Sequence, residues 1–140
     1  MIDDFDVYLA SGKVKKKTKD SVEASSLLNK ALLRINNLRS LNETTASLVL
    51  EDAYESAREG AQALMSLDGF KPYSHEGTIS FLIKFYAKIF TEYEFSQFDR
   101  FRRLRNDSVY KAETISIDDA LKCVEFSKAL LHKIKERLEQ

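Results

Sequence analysis

The sequence predicts an all-α fold, an antiparallel up-and-down bundle of four to five helices. Two observations carry that expectation. Apolar residues recur at helical spacing through several long segments. Glycine and proline number only four and one in 140 residues, whereas a sheet protein of this size needs many tight turns. The length fits a single domain over 1–140 that buries roughly two-thirds of its unfolded surface without staples.

The elements follow in order. Residues 1–17 read as a short helix ending at Gly12, with Phe5, Tyr8 and Leu9 as its apolar face, and then a lysine-rich linker. A first long helix is predicted from Asp20 to Arg39. Asp20 followed by Glu23 fits an N-cap with an acidic third residue, and Leu28, Leu32, Ile35 and Leu38 form the core face. Ser40 to Thr45 break the pattern. A second helix then runs to Leu67, with Leu50, Ala53, Tyr54, Ala57, Ala61 and Leu64 on one stripe, whose alanines admit a close neighbour. Gly69 supplies a left-handed terminus and Pro72 prevents continuation. A third helix opens at Ser74 or His75, with Ile79, Leu82, Ile83, Tyr86 and Phe90 on one face, widened by Phe81 and Phe85. A helix this apolar is expected at the centre of the bundle or in an oligomer interface. The fourth spans Glu92 to Ala112. Ser116 to Asp119 start the last helix, which carries Ile117, Leu121, Val124, Leu131, Ile134 and Leu138.

Composition sets bounds on function. Lys plus Arg and Asp plus Glu both number 22, so no global field draws the protein to nucleic acid or membrane. Charge is nevertheless uneven: Lys13, Lys15, Lys16, Lys17 and Lys19 crowd together after an acidic start, so local basic patches are allowed. The single cysteine, Cys123, excludes an internal disulfide and a Cys-rich zinc site, and reads as a small buried thiol. Isolated His75 and His132 give no metal site, and no cofactor motif is present. The segment Gly69 to Gly77 lacks the pattern of a phosphate loop. No apolar run approaches a membrane span, and no signal sequence is apparent, so a cytoplasmic protein is expected.

The chemistry-bearing stretch is Phe98 to Ala112, FDRFRRLRNDSVYKA. Arg100, Arg102, Arg103 and Arg105 follow Phe98 closely, and Asn106 and Tyr110 come after them. Basic residues beside aromatic ones suit phosphate-plus-stacking contacts with single strands. The plainer reading is a solvated face. For Arg105 it is a partly buried arginine paired with Glu51, Asp52 or Glu55, with Tyr110 capping the core.

Two places resemble HEPN domains. Ala53 to Leu82 looks like the second and third helices of small stand-alone prokaryotic and archaeal members, most specifically in the loop Gly69 to Gly77. Arg105-Asn106, with a residue five beyond Arg105, is similar to the HEPN motif, in which an Arg is followed after four to six positions by His. The resemblance covers most of residues 18–140. It implies a homodimer that brings two motifs together, metal-independent RNase chemistry in many members, and in some a small nucleotidyltransferase partner in a toxin–antitoxin-like pair. Other members have lost the motif and bind or scaffold. Here the histidine position holds Tyr110. In a second register Arg103 is the Arg, Ser108 stands at the histidine, and Tyr110 at a tyrosine that the nucleotidyltransferase modifies.

Metal-free RNA cleavage needs a base for the 2′-hydroxyl and a cation for the phosphate. Arginine suits the second role, because its planar fork pairs bidentately with phosphate. Histidine suits the first. A tyrosine ordinarily titrates near pH 10 and is a poor base; losing the base costs ~10²–10⁴-fold. The expectation is therefore an RNA- or nucleotide-binding module, weakly active or inactive, contacting its ligand through Arg102, Arg103, Arg105 and Tyr110, or the partner of a nucleotidyltransferase. The alternatives are an RNase using Arg105, Asn106 and Tyr110, and a purely structural helical homodimer. On a straight helix, positions five apart point about 140° away from each other, so Arg105 and Tyr110 are expected to meet only if the helix ends or bends between them, or across a dimer. His75 reads as a cap or loop-packing residue and His132 as exposed.

Overall fold

A computed structural model describes residues 2–140. The elements are α1 (Phe5–Ala10), β1 (Val14–Lys16), α2 (Ser21–Ile35), α3 (Ala46–Asp68), β2 (Phe70–Pro72), α4 (His75–Phe85), α5 (Glu92–Lys111) and α6 (Ile117–Leu138). The chain is thus mostly helical, with one small two-stranded antiparallel sheet. No helix among the described residues is long and apolar enough to cross a membrane.

The central helix is α3, against which α2, α4, α5 and α6 all pack. Its stripe explains why. Ala53, Ala57 and Ala61 are fully buried, and small side chains let neighbours close in. At Gly60 the approach is tightest: an added Cβ would lie 2.3 Å from Leu131 Cδ2 of α6. The long helices α2, α3, α5 and α6 alternate in direction, so α3 and α6 run the same way. Contacts between Leu50 and Cys123 and between Gly60 and Leu131 record that alignment.

Local signals set most of the boundaries. Asp20 caps α2 by accepting from the Glu23 N–H at 2.9 Å, and Ser116 caps α6 through the Asp119 N–H. Gly69, at φ 90°, ends α3 in the left-handed region that glycine enters without strain. A capping box of Thr91 and Glu94 starts α5.

Four expectations need correction. Helix α2 stops at Ile35, short of Arg39. Helix α4 stops at Phe85: Tyr86 leaves the helix and donates its hydroxyl to Asp68 Oδ2 at 2.6 Å, and Phe90 is buried from the following turn. Ile83 and Phe85 on α4, and Ile117 and Leu121 on α6, are exposed rather than core, because α3 occupies the centre and leaves these faces uncovered. Finally, the lysine-rich stretch is not a linker. Val14–Lys16 pairs with Phe70–Pro72, and the alternation that buries Val14 also leaves Lys15 outside. The ribbon is anchored by Phe70, which meets Phe5, Phe81 and Phe85 at ring distances of 5.3–5.7 Å.

Candidate functional site

Helix α5 crosses α3 antiparallel, with Phe98 and Phe101 buried beneath it. Helical periodicity then sets the neighbouring residues along the flank, where α5 faces α3 and the N-terminus of α4. Ser108, near its end, donates to Glu51 Oε2 at 2.7 Å and ties α5 to α3.

Arg105 and Tyr110 do meet, contrary to the expectation from helix geometry. Helix α5 is unbroken to Lys111, yet the Arg105 guanidinium lies 5.8 Å from the Tyr110 ring centroid, within cation–π range. The methylene stem spans the angle that the Cα positions alone forbid. Arg105 Nη1 also donates to Asn106 Oδ1 at 3.2 Å. None of the anticipated acids holds it. Glu51 accepts from Ser108, Asp52 pairs with Arg39 at 3.6 Å, and Glu55 pairs with Arg58. Among the described residues Arg105 has no salt bridge. Tyr110 does not cap the core, being 75% exposed.

The neighbouring arginines differ. Arg102, its side chain only 11% exposed, is fixed by Asp99 at 2.8 Å and reaches Glu76 at 3.8 Å. Arg100 pairs with Asp119 at 2.7 Å. Arg103 points outward with a looser 3.6 Å approach to Asp99. Arg102 thus braces α5 against α4, while Arg103 and Arg105 keep donors available.

His75 opens α4 beneath this flank, behind the N-cap Ser74. Its Nδ1 is 3.0 Å from the Tyr54 hydroxyl, and the two rings stack at 5.6 Å. Burial pushes its pKa down to about 4, and the charges of Arg58 and Arg105 push the same way, with Arg102 adding and Glu55 opposing. The ring is therefore neutral at pH 7. Burial also raises the Tyr54 phenol. Burial works against the Glu55 carboxylate, but the Arg58 hydrogen bond and charge outweigh it and hold the group below its ordinary value. The loop-packing role expected of His75 fits this contact. His132 is exposed and lies 2.8 Å from Glu136. Cys123 is buried, and no group of three or more His, Cys, Asp or Glu residues among those described is arranged to hold a metal.

Sequence reasoning missed Arg58 and took Tyr54 for core alone. The available signal was spacing: Glu55 and Arg58 stand three apart, and Tyr54 and Arg58 four apart, which places each pair on one face of a helix. That His75 joins them is a tertiary fact with no local trace. Comparison with protein-family models and with curated proteins finds no match for this chain.

Chemically, the flank offers one arginine without a carboxylate partner, a second exposed arginine, an amide and an exposed phenol ring. Those are donors for a phosphate and a platform for an aromatic ring. A neutral imidazole lies close by.

Proposed function

We propose that this chain is a small HEPN-type protein that binds RNA or nucleotide through Arg105, Arg103, Asn106 and Tyr110, with little or no cleavage activity. The observation that carries the reading is Arg105: a guanidinium with no carboxylate partner, resting on an exposed tyrosine ring. With no carboxylate bound, most of the guanidinium's donors stay free for an anionic ligand, and phosphate matches their planar fork. A phosphate meets the outward edge of Arg105, and a nucleobase stacks on the face of Tyr110 that the guanidinium leaves open. Arg102 serves by holding α5 in place. Homodimerisation through α4, whose Ile83 and Phe85 are exposed, and a nucleotidyltransferase partner acting at Tyr110 belong to the same proposal.

The test is titration of fluorescent single-stranded RNA and of AMP against wild type, Arg105→Ala and Tyr110→Ala. Both variants are expected to weaken binding, the second by roughly 1–3 kcal/mol for a lost stacking partner. Wild type that binds neither ligand, with or without a nucleotidyltransferase, overturns the proposal.

A second reading rests on the same contact. If the Tyr110 phenol beside Arg105 takes the place of the motif histidine, the protein is a metal-independent endoribonuclease. It then cuts RNA in EDTA, and Arg105→Ala abolishes the cutting. If only Tyr110→His cuts, the wild-type protein is a disarmed RNase that binds.

A further inference from the structure

The β1–β2 ribbon carries charge that the fold leaves unbalanced. Its register sets Lys15 directly opposite Lys71, and like charges so placed weaken a strand pair. Lys13 and Tyr73 continue the same outward face, since the Tyr73 N–H donates to the Lys13 carbonyl at 2.7 Å and side chains alternate along each strand. The ammonium groups of Lys15 and Lys71 lie 5.1 and 5.5 Å from the Tyr73 ring centroid, and that ring is 55% exposed. Lys17, Lys30, Lys84, Lys111, Lys122 and Lys133 each have a carboxylate partner. Among the described residues eight lysines have none, and five of them, Lys13, Lys15, Lys16, Lys19 and Lys71, lie on or beside the ribbon, the others being Lys88, Lys128 and Lys135. In a chain with equal numbers of acidic and basic residues, that is a segregated basic surface with an aromatic ring at its middle.

We propose that the outer face of this ribbon docks single-stranded RNA, with Lys13, Lys15 and Lys71 taking backbone phosphates and Tyr73 stacking on a base. Charge complementarity selects a polyanion. The exposed ring selects a strand with unpaired bases. An anionic membrane is the poorer fit, because a membrane-bound surface inserts several apolar side chains beside its lysines, and this face offers a single tyrosine. The ribbon also leads toward α5. Tyr73 stands two residues before His75, and the next residue, Glu76, approaches Arg102 at 3.8 Å. The ribbon and the Arg105 flank thus both border the start of α4. The inference rests on the RNA-binding reading of that flank for its ligand class, and it adds a second contact patch.

The experiment measures fluorescence anisotropy of labelled single-stranded RNA of about 12 nucleotides across about 50–200 mM salt. It compares wild type, the double change Lys15→Gln with Lys71→Gln, its charge-keeping counterpart Lys15→Arg with Lys71→Arg, Tyr73→Ser, and Arg105→Ala. For the double glutamine variant the expected result is a salt slope shallower by about 1.4, from about 0.7 per phosphate contact, and the arginine pair restores it. Tyr73→Ser weakens binding about fivefold or more at an unchanged slope. Wild-type slope and affinity in both the glutamine and serine variants overturn the ribbon, while loss in Arg105→Ala alone leaves the flank reading standing. Loss in the ribbon variants with Arg105→Ala unaffected upholds the ribbon and removes the flank. Binding to phosphatidylserine vesicles without binding to RNA overturns the ribbon proposal.

Discussion

Acidification should destabilise this protein through His75 specifically. The ring titrates at about 4 in the folded chain and near 6.5 when unfolded, so in that interval the unfolded chain binds the additional proton. Its contribution is fully present above about pH 6.5 and is lost as pH falls towards 4. The whole gap corresponds to about 3.4 kcal/mol. Because the ring is only partly buried, solvent screening reduces this to about 1.5 kcal/mol. The assay is urea unfolding of wild type and His75→Gln at intervals from pH 7 to pH 4. The glutamine variant starts lower, having lost the Tyr54 contact, but its curve falls less steeply. Glu94, where burial is outweighed by Lys133 and the Thr91 bonds so that the group stays below its ordinary value, has no coupling to His75 and cancels in the comparison. Glu55, coupled to the imidazole, moves with it and counts as part of the His75 effect. Two curves that superimpose after a vertical offset would refute the argument and mean that His75 charges freely in the folded state.

Three further outcomes follow from packing. Gly69→Ala should cost about 1–2 kcal/mol in thermal or urea unfolding, because φ is 90° and the added Cβ falls 2.9 Å from the Lys17 carbonyl. Arg34→Met should cost roughly 3 kcal/mol by the same measurement. It removes the 2.7 Å partner of Glu59, a carboxylate only 3% exposed, and leaves Lys30 at 3.6 Å as its remaining cation. Cys123, buried and with its thiol pushed up to about 12 chiefly by burial, should react with a thiol reagent only after unfolding, as followed by absorbance in native buffer and in urea.

The sequence carried the helices well where local signals decide them. The Asp20 and Ser116 caps, the Gly69 terminus and the alanine stripe of α3 all follow from short-range chemistry, and each appears where spacing placed it. What it did not carry depends on partners distant in the chain. Val14–Lys16 becomes a strand only because Phe70–Pro72 lies beside it, more than fifty residues later. Ile83, Phe85, Ile117 and Leu121 are as apolar as their buried neighbours, and only the placement of α3 decides which of them is covered. In the candidate site, Arg105 stands out in the sequence by the arginine run and the following Asn106. Its contact with Tyr110 was not, because Cα periodicity says nothing of how far a flexible guanidinium reaches. The meeting of Tyr54, Arg58 and His75 joins two helices through side chains alone, and no spacing in the sequence encodes it.

The central claim is that Arg105 is held ready for a ligand rather than for the fold, and a paired measurement on Arg105→Ala tests it most directly. The melting temperature and the affinity for single-stranded RNA are recorded on the same preparation. An arginine with no carboxylate partner contributes little to the bundle, so the melting temperature should stay close to that of wild type while affinity falls and the salt slope shallows by about 0.7, one phosphate contact. A variant that melts several degrees lower yet binds RNA as wild type does would contradict the account and make Arg105 part of the scaffold.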